Sequence, residues 1–263
     1  MNADKIAVIG AGAYGSALGE ILSVKGYSVS YYDPKLRESD ISKTLSGASY
    51  VLLVVPSNTI EHALPLLPKN LPLIIATKGI LSCSVFDGFS DKMLISGPGF
   101  AKDIVLERKT KLTATDHRVI DLFSTKYLSF DYTDDFNGVL MCGSLKNVYA
   151  IGAGLLGLVH GAPLWRKYIT DVYRELKSIL ALNGSDPRTV DLACGVGDLM
   201  LTCDTPSRNY RFGVNLRDDP NYKSRDTLEG LSTIQSIKEG ELEIPEDAAI
   251  LKDIIKKVSN GTK

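Results

Sequence analysis

Residues 5–33 read KIAVIGAGAYGSALGEILSVKGYSVSYYD, and the arrangement of this stretch decides the fold. An apolar run of strand length passes straight into Gly10-Ala11-Gly12-Ala13-Tyr14-Gly15, a G-x-G-x-x-G that follows a strand and opens a helix expected from about Tyr14 to Lys25. Gly10 permits the tight turn, Gly12 leaves room for a pyrophosphate against the backbone, and Gly15 lets the helix sit close on the strand. The helix N-terminus then offers N–H donors to the anion. The second strand ends at Asp33, 18 residues beyond Gly15, where a carboxylate can accept hydrogen bonds from an adenosine ribose. The same charge repels a 2′-phosphate, so NAD(H) is the favoured cofactor. Lys35 and Arg37 offset part of that repulsion and leave NADP(H) possible.

Outward from this unit, runs of strand length continue to alternate with helical patterns. VLLVV at 51–55 and LPLIIAT at 71–77 are apolar without alternation, as parallel strands covered on both faces are. MLIS at 93–96, KLTAT at 111–115 and YLSFDY at 127–132 extend the series. Beyond Asp134 only helical patterns remain, over Asp135 to about Val159, Pro163 to Leu182, 206–216, 226–239 and 246–259. The expected fold is α/β: a Rossmann-type, mostly parallel sheet with helices on both faces in residues 1–133, then an all-α domain in 134–263 that carries substrate and catalytic groups.

With 44% hydrophobic and 23% charged residues among 263, the chain has the composition of a globular protein. Its 30 basic and 31 acidic residues leave a net charge of −1, which argues against broad electrostatic capture of nucleic acid or an anionic membrane; an anionic ligand has to be small and locally gripped. Cys83, Cys142, Cys194 and Cys203 form no C-x-x-C pair and have no histidine at zinc spacing, so they read as reduced core thiols and no metal site is expected. The first residues lack the pattern of a secretory signal, which points to the cytoplasm. The uncharged, Gly- and Ala-rich stretch Asn147 to Val159 is shorter than the roughly 20 apolar residues of a membrane span and reads as a core helix.

Several polar residues stand where burial demands a reason. Lys78 follows the LPLIIAT strand at the carboxyl edge where such sheets bind ligands, and is either a ligand contact or a solvated lysine. Gly97 and Gly99 in S-G-P-G-F-A close another strand, allowing backbone to approach a ligand or simply to turn. Lys146 and Asn147 interrupt the small, apolar helix LMCGSLKNVYAIGAGLLG, where desolvation or a neighbouring cation makes an amine usable near neutral pH, unless the lysine snorkels outward. In 195–209, Thr205 and Pro206 suit the cap and first position of a helix, placing Ser207, Arg208 and Asn209 in its first turn. An arginine there is unfavourable unless an anion joins it, either a phosphate or a carboxylate partner. His62, His117 and His160 share no pattern and read as structural.

Taken in order, G-A-G-A-Y-G at 10–15, V-P-S at 55–57, T-K-G at 77–79, G-P-G-F-A at 97–101, S-L-K-N at 144–147, G-V-G-D-L-x-x-T-C at 195–203, S-R-N-Y-R-F-G at 207–213, L-E-G at 228–230 and E-I-P at 243–245 resemble the NAD(P)-dependent glycerol-3-phosphate dehydrogenases over nearly the whole chain. The resemblance implies reduction of dihydroxyacetone phosphate to sn-glycerol 3-phosphate, the backbone of glycerophospholipids, by a two-domain cytoplasmic enzyme that is usually a homodimer. It implies Lys146 as catalytic acid/base, Lys78 beside it lowering its pKa, and Asp198 orienting the ammonium groups. Substrate contacts fall on Lys78, Gly97, Gly99, Lys146, Asn147, Asp198, Thr202, Ser207, Arg208 and Asn209. Cofactor contacts fall on the 10–15 loop, Asp33, Lys78, Ala101, Arg208, Thr227 and Glu229. The chain departs from the family at Gly99, where a hydroxyl or amide is common, in the brief 34–48 connector, in 160–176, and at Asp33, where many members carry arginine. These departures leave room for another small phosphorylated or carboxylated alcohol as substrate, and a cofactor-binding sensor without turnover is the remaining alternative.

Overall fold

Each apolar run becomes a strand. β1 (Lys5–Ile9), β2 (Ser28–Tyr32), β3 (Ala48–Leu53), β4 (Leu73–Ile75), β5 (Lys92–Ser96), β6 (Thr110–Ala114) and β7 (Leu128–Tyr132) form one sheet in the order 2-1-3-4-5-6-7. The first five pair in parallel, β6 runs antiparallel to β5, and β7 is parallel to β6. The computed structural model describes residues 4–37, 39–224 and 228–261. Within them the chain divides into two compact units, one of residues up to 77 with 83–136, the other of 78–82 with residues from 137 onward.

In the first unit, α1 (Ala13–Val24) lays Ala17, Leu18, Ile21 and Leu22 into one apolar cluster with Ile6, Val8, Leu52, Ile74 and Met93 of the sheet. The short helices α2 (Ile41–Leu45), α3 (Ile60–Ala63), α4 (Ala101–Val105) and α5 (His117–Phe123) complete the connections. The strand order turns back between β1 and β3, so the loop after β1 sits at the switch point of the sheet, where open α/β sheets bind ligands.

The second unit is helical: α6 (Phe136–Leu155), α7 (Pro163–Leu182), α8 (Asp198–Thr202), α9 (Arg208–Asp218), α10 (Glu229–Lys238) and α11 (Ala249–Gly261). Every residue of α6 from Gly138 to Gly154 is buried, so tertiary packing outweighs the low helix propensity of its glycines. Those glycines set how closely the neighbours approach. A Cβ on Gly152 would stand 2.4 Å from Ile254 Cδ1, and one on Gly154 would stand 2.0 Å from the Tyr210 carbonyl oxygen.

Two expectations change. The core helix ends at Leu155, not near Val159, because Gly157 takes φ +61° and the Leu158 N–H bonds back to the Ala153 carbonyl, closing the helix with a left-handed residue. The cap of α9 is Ser207, whose hydroxyl accepts from the Tyr210 N–H at 3.4 Å, in place of the Thr205-Pro206 pair. The segment Lys78–Ser82 groups with the helices, although its sequence position follows a strand of the sheet.

Candidate functional site

The glycine loop of the first unit is built as a cradle. Gly10 has φ +106°, and a Cβ there would lie 2.4 Å from the Val54 carbonyl oxygen, so only glycine fits. Gly15 crosses so close that its Cβ would stand 2.0 Å from the Gly10 oxygen, whereas at Gly12 nothing lies within 4 Å. Gly12 is also the N-cap of α1 and brings no side chain to its first-turn N–H groups, those of Ala13, Tyr14 and Gly15. Open space above uncapped donors fits the pyrophosphate of a dinucleotide. Asp33 does more than stand ready for a ribose: Oδ2 accepts from the Ala11 N–H and Oδ1 from the Lys35 N–H, both at 3.0 Å. The carboxylate therefore braces the glycine loop while keeping lone pairs to spare. Gly97 (φ +133°), Gly99 and Ala101 belong to the same unit. A Cβ on Gly99 would press to 2.9 Å on Leu112 Cδ2, so the absence of a side chain there is matched by local packing.

The second unit gathers the ionisable groups. Lys146 of α6 is 3% exposed and Asp198, the first residue of α8, is 2% exposed, and the Lys146 ammonium donates to Asp198 Oδ2. Two buried opposite charges compensate each other where either alone would be costly. The Thr202 hydroxyl donates to the Asp198 carbonyl at 2.6 Å and approaches Oδ1 at 3.5 Å, steadying the turn that presents the carboxylate. That turn follows Ala193–Gly197, where Gly195 leaves helical geometry (φ −89°, ψ −108°) and would meet the Val190 oxygen at 2.2 Å if it had a Cβ. Lys78 is half-buried, a hydrogen-bonding neighbour of Lys146, and its pKa falls from 10.5 to about 8. Burial is the larger cause and the Lys146 charge the next, with Asp198 and Glu229 opposing. An amine lowered toward neutrality therefore stands in this cluster, that of Lys78.

Arg208 is the first residue of α9, and its Nη2 donates to Glu229 Oε1 at 2.8 Å, so the anion beside it is a carboxylate. Arg208 is half-exposed, and an ion pair so placed contributes about 1 kcal/mol or less, leaving the guanidinium available to a stronger anion. A cavity of about 390 Å³ adjoins it, lined among others by Thr205, Arg211, Asn215, Tyr222 and Leu228. A broader depression of about 600 Å³ in the first unit, between Ser42–Ala48 and Leu66–Leu71, has no titratable lining residue.

The second unit therefore brings together Lys78, Lys146, Asn147, Asp198, Thr202, Ser207, Arg208, Asn209 and Glu229, while Gly10, Gly12, Ala13, Tyr14, Gly15, Asp33, Gly97, Gly99 and Ala101 lie in the first. Thr227 is outside the described residues. Sequence reasoning missed Trp165, whose Nε1 donates to the Cys203 carbonyl at 2.8 Å and fixes the end of α8; a lone tryptophan in the first turn of a helix carries no signal for that contact.

Residues 135–263 match the family described as the C-terminus of NAD-dependent glycerol-3-phosphate dehydrogenase. The chain is 32% identical over 264 residues to a glycerol-3-phosphate dehydrogenase (NAD(P)+) of Citrifermentans bemidjiense, covering 81% of this chain and 79% of that one. It is 31% identical over 288 residues to the enzyme of that name from Shewanella baltica, covering 91% and 84%. Among solved structures, glycerol-3-phosphate dehydrogenase from Coxiella burnetii superimposes with a TM-score of 0.78 at 23% identity, over 98% of this chain and 99% of that one. A cradle for a dinucleotide, a buried lysine–aspartate pair and relatives that span most of the chain lead to one conclusion: the chain belongs to the NAD(P)-dependent glycerol-3-phosphate dehydrogenase family.

Proposed function

We propose that this protein reduces dihydroxyacetone phosphate to sn-glycerol 3-phosphate with NAD(P)H, NAD(H) being preferred. The observation that carries this reading is the buried Lys146–Asp198 pair with the Lys78 amine beside it. A bound nicotinamide supplies the hydride, and the Gly10–Gly15 loop with Asp33 would hold its dinucleotide. Lys146 donates a hydrogen bond, then a proton, to the ketone oxygen as negative charge develops there. Asp198 compensates and aims that ammonium, and Lys78, whose pKa burial and the Lys146 charge lower to about 8, replaces the proton through its hydrogen-bonded contact with Lys146. Arg208 and the N-terminus of α9 take the phosphate, Glu229 yielding the guanidinium in part. A sensor without turnover has no use for a buried ammonium supported in this way.

A pH dependence follows with a definite sign. Reduction consumes a proton held by the lysines, so kcat/KM for reduction is expected to fall as pH rises through about 8, and that for oxidation to rise over the same interval. Initial rates in both directions from pH 6 to about 10 check this, and a flat profile across the limb would remove Lys78 from the proton path.

The direct assay is loss of NADH or NADPH absorbance on addition of dihydroxyacetone phosphate, run with Asp33→Ala alongside. Removing the brace on Ala11 is expected to raise KM for both cofactors, about tenfold for NADH and less for NADPH, since the loop loosens for both while the 2′-phosphate escapes a like charge. An unchanged KM for NADH would sink the brace; no turnover by the unaltered protein with either cofactor would sink the assigned reaction.

We infer in addition a cytoplasmic homodimer that feeds glycerophospholipid synthesis. Leu156, Val159 and Leu164 are 54%, 70% and 70% exposed around one turn of the second unit, an apolar surface that a second copy would cover. No helix among the described residues is long and apolar enough to cross a membrane.

A further inference from the structure

Trp165 and Tyr168 stand three residues apart on α7, so they share a face of that helix, and both are buried. Each donates one hydrogen bond to a backbone carbonyl of a different element. The Trp165 indole N–H reaches the Cys203 oxygen at 2.8 Å, and the Tyr168 hydroxyl reaches the Tyr149 oxygen at 2.6 Å. A carbonyl can only accept, so the direction of both bonds is fixed, and burial holds the Tyr168 phenol well above its usual range, which keeps its proton in place. Room for the phenol is built into α6, because a Cβ on Gly152 would stand 2.5 Å from Tyr168 Oη. The Trp165 ring in turn meets the ring of His160 edge to face, with centroids 4.4 Å apart.

The two carbonyls belong to the elements that carry the buried ion pair. Tyr149 lies three residues beyond Lys146 on α6, and Cys203 closes α8, which begins at Asp198. α6 is buried along its length and has no freedom to yield, so α8 is the piece whose place has to be set. It is one short turn, tied internally by the Cys203 N–H on the Leu199 carbonyl at 2.9 Å and by the Thr202 hydroxyl on the Asp198 carbonyl at 2.6 Å. A hold on its last carbonyl is therefore passed to its first residue. Cys203 also stands within electrostatic reach of both Lys146 and Tyr168, which places the grip beside the pair.

We propose that Trp165 and Tyr168 are positioning residues: one face of α7 grips α8 and α6 by their backbone and so sets where Asp198 stands against Lys146. This rests on the functional reading above for what the ion pair does. Attraction draws the two charges together but leaves open where they meet. Bonds to backbone, which has no rotamers to exchange, fix that place, and a displacement of about 1 Å at a reacting group can cost up to about 10²-fold in rate.

The test removes each donor at nearly constant shape. Tyr168→Phe deletes one oxygen, and because Trp165 is the only tryptophan it can be replaced throughout by the benzothiophene analogue, in which sulfur stands for the indole N–H. In steady-state reduction of dihydroxyacetone phosphate, each change is expected to lower kcat about tenfold while KM stays within about twofold, since the phosphate contacts on α9 are untouched. The two bonds act in series between α8 and α6, so combining the changes should cost no more than about twofold beyond the worse of them. The pH effect has a sign. Burial and the Lys146 charge lower the Lys78 pKa and Asp198 opposes them, so a displaced Asp198 leaves that amine lower still, and the alkaline limb moves below about 8 in every variant. Acetylation of Lys78 by acetic anhydride as a function of pH, read by mass spectrometry, follows the same amine without turnover, and its midpoint should fall with the limb; thermal unfolding checks that each variant is folded. If the unaltered protein turns over no substrate, a lowered midpoint still supports the grip and an unmoved one overturns it. With turnover, an unchanged kcat, an effect confined to KM, or losses that multiply in the combined variant overturn it as well, leaving the two bonds as parts of the fold alone.

Discussion

Lys146→Ala is expected to lower kcat by about 10³-fold or more, because it removes both the proton donor and the charge that stabilises the developing oxyanion. The same change should destabilise the fold by about 3–5 kcal/mol, since it leaves the 2%-exposed Asp198 as an uncompensated buried charge. The two effects separate in the double variant Lys146→Met/Asp198→Asn. Replacing a buried pair by neutral groups of similar volume is often close to neutral, so urea unfolding should return to within about 1–2 kcal/mol of the unaltered protein while turnover stays absent. Substantial turnover in the double variant would show that neither group takes part in the chemistry.

Gly154→Ala is expected to damage the site without touching a charged residue. Its Cβ would stand 2.0 Å from the Tyr210 oxygen, and the reciprocal position, Gly213, would meet the Ile151 oxygen at 2.1 Å, so α6 and α9 cross backbone to backbone. Neither obstacle is a side chain that can swing away, and α9 has to shift. Overpacking of this kind costs about 1–3 kcal/mol, which for a chain of this size lowers Tm by roughly 2–12 °C. Because Arg208 and Asn209 ride on the first turn of α9, kcat/KM should fall further than the stability loss alone explains, by about 10²-fold. Gly88→Ala is the control: its Cβ would meet only the flexible end of Lys69, at 3.4 Å, and Tm and rate should be unchanged. A Gly154 variant with normal kinetics would mean that α9 tolerates displacement.

How much of this was legible depended on whether the cause was local. β1, the glycine loop and α1 could be read because an apolar run, a φ that only Gly10 tolerates and a 3.6-residue period all act within 20 residues of one another. α7 matched at both ends because Pro163 marks its start and the apolar stripe stops at Leu182. The end of α6 was misplaced because an apolar run says nothing about the left-handed turn at Gly157. Ser207 and Thr205 are equally good caps on paper, and only the direction in which the chain enters α9 chooses between them. The partners of the buried polar groups were the least legible. Lys146 and Asp198 are 52 residues apart, and Asn147 and Asn209 are 62 apart, so nothing near either residue encodes the other. The resemblance supplied the roles of Lys146 and Asp198, whereas the lowered pKa of Lys78 and the hydrogen bond from Asn209 to Asn147 needed coordinates.

The bond from Ala11 to Asp33 bears on how this enzyme could be re-engineered or could drift. One carboxylate orders the glycine loop and, in the function proposed above, would also face the part of the cofactor that distinguishes its two forms, so selection on either property would act on the other. Exchanging Asp33 for a residue that welcomes a 2′-phosphate discards the brace at the same step, and the first product of such a change binds both cofactors poorly. A gradual route to NADP(H) runs instead through the exposed neighbours Lys35 and Arg37, which can gain contacts to the extra phosphate while Asp33 stays in place.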